Sequence, residues 1–153
     1  MSLGVYLNFN GNCREAVEFY TDVFGVERPQ IMTYADAPPE MGMASRDDAL
    51  DLVMHTSFKL HGTDLMFSDI TPEMSLTVGN NVGIIITSDD KDEITRWFNA
   101  LKEGGIVEME LQETFWSPYY GAVIDKFGIS WQFNYVTEAE REAESMRERE
   151  RIR

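Results

Sequence analysis

The spacing of hydrophobic positions along the chain changes period twice, and in the same order both times. In "YLNFN", starting at Tyr6, apolar and polar residues alternate as in a half-buried strand. Gly11 turns the chain, and Cys13, Ala16, Val17, Tyr20 and Phe24 then recur at helical spacing. Asn12 stands at the N-cap position, Glu15 three residues on completes a capping-box pattern, and Gly25 fits the residue that closes a helix. The second copy starts in "VGIIITSDD", where a β-branched run from Ile84 to Thr87 leads to Asp89 and Asp90 as cap candidates. Ile94, Trp97, Phe98 and Leu101 form its helical stripe, which Gly104 and Gly105 end. The two closing glycines, Gly25 and Gly104, lie about half the chain apart, so the sequence reads as a weak internal duplication.

The segments after the two helices match as well. After Gly25 come the strand-like pieces "QIMTYADA", "LVMHTSFKLHG" and "DLMFSDI", and after Gly105 come "IVEMELQETFW", "YYGAVIDKFG" and "ISWQFNY". Between the first two pieces of the first half lies "PPEMGMASRDDA", whose Pro, Gly and Met content predicts a mobile loop. Each half therefore predicts β-α-β-β-β, an α+β fold with the helix covering one face of a mostly antiparallel sheet. The other face is left free to curl around something. In "ISWQFNY" the alternation places Trp131, Phe133 and Tyr135 on one face and Ser130, Gln132 and Asn134 on the other. The predicted organisation is one domain over residues 1–136, built of modules at about 4–70 and 81–136, with a charged helical tail over 137–153. Thr137 and Glu140 form a capping box for that tail, and Ala139, Ala143 and Met146 give it a narrow apolar stripe.

Composition narrows the function classes. The chain has 153 residues and a net charge of -14, which argues against nucleic acid as a partner because phosphate binding concentrates Lys and Arg. The tail holds six Glu and five Arg, so the acidity resides in the body. It serves solubility, or it attracts a cationic ligand. No apolar run reaches the ~20 residues of a membrane span, no signal peptide is expected before the first strand, and the single Cys13 fits a reducing cytoplasm.

The segments "YLNFNGNCREAVEFYTDVFG", "HTSFKLHGTDLMFSD", "GGIVEMELQETFWSPYYG" and "DKFGISWQF" carry a family resemblance. Together with the paired βαβββ modules they resemble the vicinal oxygen chelate superfamily, which includes glyoxalase I, extradiol dioxygenases and bleomycin-resistance proteins. Within it the chain is similar to the PhnB-like branch, also labelled 3-demethylubiquinone methyltransferase-like. The resemblance implies a cytoplasmic homodimer with cupped sheets enclosing a small-molecule pocket. It also implies four possible metal-ligand positions, one on the first and one on the last strand of each half. These fall between Gly4 and Tyr6, near Met66, between Asn81 and Gly83, and on Gln132. Zinc or nickel takes three or four imidazole, thiolate or carboxylate groups, so no metal and no cofactor is expected here. A methyltransferase with a nucleoside cofactor would need a doubly wound sheet, whose signature is missing.

Other chemistry is sparse. His55 and His61 share a face by parity with Lys59 between them, but six strand residues span ~20 Å, too far for one ion. "TFWSPYYGAVIDKFG" gathers Phe115, Trp116, Tyr119, Tyr120 and Phe127, either as packing or as the wall of a pocket for a flat or cationic ligand. Tyr6 and Asn8 share a strand face and are candidates for the same lining. The expected ligand-binding residues are Tyr6, Asn8, His55, Trp116, Tyr120 and Gln132, with no catalytic residue assigned. The leading expectation is a metal-free small-molecule binding or sequestering protein. The alternatives are a metal-dependent lyase, isomerase or dioxygenase of the same superfamily, and a non-catalytic scaffold.

Overall fold

The computed structural model describes residues 1–41 and 48–153. Clustering of the chain separates two compact units, Met1–Thr77 and Val78–Arg153. The first holds β1 (Val5–Phe9), α1 (Cys13–Phe24), β2 (Met32–Thr33), β3 (Val53–Leu60) and β4 (Thr63–Asp69). The second holds β5 (Gly83–Ser88), α2 (Lys91–Leu101), β6 (Ile106–Gln112), β7 (Tyr120–Ile124), β8 (Ser130–Tyr135) and α3 (Glu138–Arg151). Both units form a four-stranded mixed sheet of the same order, β1-β4-β3-β2 and β5-β8-β7-β6. In each the first strand runs parallel to the last, and the remaining pairs are antiparallel. The βαβββ duplication and the α+β class expected from the hydrophobic pattern are both present.

In the first unit α1 buries Cys13, Ala16, Val17, Tyr20 and Phe24. Phe67 is fully buried at the centre of the core, with ring centroids 5.2 Å from Phe58, 5.9 Å from Tyr20 and 6.4 Å from Phe9. Burial pushes the Cys13 thiol up to about 12, with the Asp69 carboxylate adding to the shift, so this cysteine is a packing residue. In the second unit α2 buries Ile94, Trp97, Phe98 and Leu101, and Phe98 meets Phe133 edge-on at 6.1 Å. Gly121 lets that helix and β6 approach closely, since a Cβ there would stand 2.8 Å from Leu111 Cδ2 and 3.0 Å from Phe98 Cε2.

Three local expectations need correction. Asn12 makes no side-chain cap to α1, so the Asn12–Glu15 capping box does not form. Asp69, at the end of β4, takes its place by accepting from the backbone N–H of Gly11 at 2.8 Å and Cys13 at 3.1 Å. The piece "QIMTYADA" is a strand only at Met32–Thr33, because the Asp36 carboxylate accepts from the Thr33 N–H and hydroxyl and winds Tyr34–Asp36 into a 3₁₀ turn. His61 does not continue the face of His55. It has φ 47° beside Gly62 at φ 79°, the backbone of a two-residue hairpin turn. Of the loop expected between Pro38 and Ala49, residues 42–47 lie outside the described residues, and Pro39–Met41 forms a 3₁₀ turn.

The tail obeys its capping box. The Glu140 carboxylate accepts from the Thr137 N–H at 2.9 Å and the Thr137 hydroxyl accepts from the Glu140 N–H at 3.3 Å. No residue of α3 is buried, and Arg141 ties its first turns to Asp89 at 2.8 Å. No helix among the described residues is long and apolar enough to cross a membrane.

Candidate functional site

Strand register decides which side chains share the face turned away from each helix. In the first unit Tyr6 pairs with Met66, Asn8 with Ser68 and Met66 with Ser57, while Met32 pairs with His55. Register partners share a face, so Tyr6, Asn8, Met66, Ser68, His55 and Met32 all lie opposite α1. The Tyr6 hydroxyl reaches across β4 to His55 Nδ1 at 3.2 Å, with the rings 5.8 Å apart. Ser68 donates its hydroxyl to Asn8 Oδ1 at 3.1 Å. Beside this face lies a cavity of about 520 Å³ whose lining includes Met32, Asp36, His55 and Ser57. Hydrogen bonds from Thr33 hold the Asp36 carboxyl below its ordinary range, so a negative charge sits at the cavity's edge.

In the second unit Gln132 pairs with Ile85 on one side and Ala122 on the other, and Asn134 pairs with Thr87 and Tyr120. The sequence alternation was right about this strand: Trp131 and Phe133 are buried against α2, and Gln132 lies on the opposite face. Its carbonyl oxygen accepts from the Tyr120 hydroxyl at 2.6 Å. Trp116 then leans edge-on against Tyr120 at 5.4 Å, and Phe115 against Trp116 at 4.8 Å. Burial raises the Tyr120 phenol above its ordinary value, and the Glu108 carboxylate adds to the shift, so this hydroxyl stays protonated and donates. The loop that carries the two exposed aromatics is held by the Thr114 N–H donating to the Ser117 carbonyl at 2.9 Å.

The structure therefore brings the six expected residues into two groups. Tyr6 and His55 are bonded to each other in the first unit, with Asn8 on the same strand face. Trp116, Tyr120 and Gln132 form a continuous row in the second. Sequence reasoning missed several contributors: Met32 and Asp36 at the cavity, Ser68 beside Asn8, and Glu108 near Tyr120. It also missed the two buried carboxylates that hold the strand ends. Asp69 accepts from Gly11, Cys13 and Val53, and Asp125 accepts from Phe127, Ile129 and the Trp131 indole N–H at 2.8 Å. The "DKFG" turn, with Asp three residues before Gly, was a legible signal for the second of these.

The four positions where the superfamily places metal ligands can be tested directly. A Cβ on Gly4 would stand 3.0 Å from the Met66 methyl, and a Cβ on Gly83 would stand 3.2 Å from Gln132 Nε2. Within the two first-strand ranges Gly4 and Gly83 have no side chain and lie against the last-strand side chain, and Val5, Tyr6, Asn81 and Val82 offer no imidazole, thiolate or carboxylate. Two glycines, a thioether and a neutral amide do not make a divalent-metal donor set. Among the described residues no three His, Cys, Asp or Glu gather where they would hold an ion. The residues present do not fit the metal.

Residues 2–134 match the family model described as 3-demethylubiquinone-9 3-methyltransferase. The chain belongs to that family. It is 32% identical to Protein YjdN of Escherichia coli (strain K12) over 145 residues, covering 89% of this chain and 96% of that protein. Among solved structures it is similar to protein PA1353 from Pseudomonas aeruginosa, with 34% identity, a TM-score of 0.78, and 90% and 99% of the two chains covered. A PhnB protein from Bacillus cereus described as a putative 3-demethylubiquinone-9 3-methyltransferase shares 26% identity and a TM-score of 0.66, with 89% and 100% covered. The family's description mentions methyl transfer, but two mixed four-stranded sheets are not the doubly wound parallel sheet of a nucleoside-cofactor site.

Proposed function

We propose that this protein binds a small flat molecule through its own side chains, without a metal, as a binding or sequestering protein. The observation that carries the reading is the row Trp116–Tyr120–Gln132. It offers a half-exposed aromatic face, a second ring behind it, and an amide locked by a 2.6 Å hydrogen bond. Such a surface orients a flat ligand by stacking and hydrogen bonding. Glu108 near this row and the acidity of the body favour a neutral or cationic ligand over an anion. The reading includes a homodimer, for which light scattering should give about twice 17.6 kDa.

Tryptophan fluorescence gives a selective test. Trp116 is 54% exposed, whereas Trp97 is 6% and Trp131 0% exposed, so a ligand on the row quenches Trp116 alone. The experiment titrates flat heteroaromatic ketones, amides and cations into protein whose metal content has been measured by plasma mass spectrometry. Saturable quenching that disappears in Trp116→Leu, on protein without metal, is the expected result. Near one metal ion per chain, or quenching that never saturates with any compound, would overturn the reading. The former outcome would favour a metal-dependent enzyme of the same superfamily.

A further inference from the structure

The two ends of the Gln132 amide are not equivalent. Oε1 accepts from the Tyr120 hydroxyl at 2.6 Å, which favours this orientation of the group because a phenol donates more strongly than it accepts. Nε2 therefore points the other way, over Gly83, where it stands 3.2 Å from the place a Cβ would occupy. No buried side-chain nitrogen or oxygen among the described residues lacks a partner, and the Gln132 side chain bonds only through Oε1 there, so Nε2 is within reach of solvent. The neighbours across the strands are Ile85 and Ala122, both apolar, and Gly83 offers no side chain to compete for the donors. A hydrogen bond formed between apolar flanks is stronger than one made in open water.

We propose that Gln132 donates from Nε2 to a neutral carbonyl oxygen of the bound ligand, and that Tyr120 is the positioning residue that keeps the donor end outward. The inference rests on the proposed flat-ligand site and names the group the ligand presents to it. Tyr120 does this because a phenol is a stronger donor than acceptor, so flipping the amide would exchange the O–H to Oε1 bond for a weaker N–H to phenol-oxygen bond. A carbonyl fits better than a carboxylate because Glu108 lies close enough to act on the Tyr120 phenol and would repel an anion. A carbonyl also fits better than an ammonium or amino group, which would meet N–H bonds with N–H bonds. This is recognition by a neutral donor at a position where metal-using relatives would place a charged ligand, so the ligand oxygen is held without being ionised.

The test uses two probes of the same shape, 2-acetylnaphthalene and 2-isopropenylnaphthalene, which differ only in a carbonyl oxygen against a methylene. Binding is monitored by Trp116 quenching and by the side-chain amide signals of Gln132 in ¹H–¹⁵N spectra. Wild-type protein should prefer the ketone by roughly fivefold, the factor expected for one net hydrogen bond. One Gln132 amide proton should move downfield with the ketone and not with the alkene. Gln132→Glu still accepts from Tyr120 but has no donor, so it should bind the two probes equally. Tyr120→Phe keeps the donor but frees the amide to flip, so the preference should fall and the two Gln132 amide protons should draw together in shift. Equal binding by wild-type protein, or a preference that survives Gln132→Glu, would overturn the inference while leaving the flat-ligand site standing. An unchanged preference in Tyr120→Phe would remove the positioning role of Tyr120. Failure of both probes to bind would take down the flat-ligand reading and this inference with it.

Discussion

The two halves share strand order, register pattern and helix placement, yet they anchor their helices differently. At α2, Asp90 accepts from the Glu93 N–H three residues on, at 3.0 Å. At α1 the equivalent local residue, Asn12, contributes no side-chain cap, and the carboxylate comes from Asp69, far along the chain. Asp69 is 3% exposed and accepts from a third backbone donor, Val53 N–H, at 2.9 Å. One carboxylate thus ties the β1–α1 turn, the start of α1 and the start of β3 together. A helix start can therefore be held by tertiary structure as firmly as by its own sequence, and with more at stake when it is lost.

The contrast predicts a graded series of substitutions, read by urea unfolding. Asp69→Ala leaves three buried or half-buried N–H groups without an acceptor and should cost about 3 kcal/mol or more. Asp90→Ala removes one exposed local cap and should cost about 1 kcal/mol. Asn12→Ala should cost less than about 0.5 kcal/mol, because the Asn12 carbonyl still accepts from Ala16 N–H at 3.0 Å whatever the side chain is. If Asn12→Ala cost as much as Asp90→Ala, the two helices would be capped alike and the distinction would fail.

The same series shows why part of the fold was legible and part was not. Hydrophobic period is a local signal, so strands and helices of both halves could be read at their places, including the split of Trp131 and Phe133 from Gln132. Capping patterns are local too, and they succeeded at Asp90 and Thr137. They failed at Asn12 because the competing acceptor arrives from β4, which the residues around Asn12 do not encode. The candidate site divides in the same way. Alternation placed Tyr6 with Asn8 and put Gln132 opposite Trp131. The bonds Tyr6–His55 and Tyr120–Gln132 depend on which strands become neighbours, and so does the filling of space over Gly4 and Gly83. No single residue announces strand order, which is a property of the whole sheet.

Gly4 and Gly83 sharpen the comparison at a finer scale. Gly4 immediately precedes β1 and Gly83 opens β5, and each lies against a side chain from the last strand of its half. Adding a methyl at Gly4 meets the Met66 methyl at 3.0 Å and the Asp64 carbonyl oxygen at 3.2 Å, and backbone does not swing aside. At Gly83 only Gln132 Nε2 is close, at 3.2 Å, and the nearest backbone atom is 3.8 Å away. Gly4→Ala should therefore destabilise by about 1 kcal/mol. Gly83→Ala should leave stability within about 0.5 kcal/mol and instead displace the Gln132 amide, weakening ligand binding. Unfolding curves and Trp116 titrations on the same two variants separate these effects. The reverse ranking would mean that the two glycines do not play matching parts.

The third helix start gives the smallest effect and a clean sign. Thr137 donates its backbone N–H and its hydroxyl to the Glu140 carboxylate, and these bonds hold the Glu140 carboxyl below its ordinary range. A carboxyl whose folded value is depressed contributes support above its unfolded value, near 4.3 for glutamate, and loses it as pH falls through the folded value. The first turn of α3 should consequently fray on acidification below about pH 4. The protection factors of the Ala139, Glu140 and Arg141 amides, taken against the intrinsic exchange rate at each pH, should fall in the wild type from neutral to acid pH. In Glu140→Gln the N3 side chain is neutral throughout, so the same amides should start less protected and change little with pH. If protection fell in parallel in the two proteins, the acid sensitivity of the tail would lie outside the capping box.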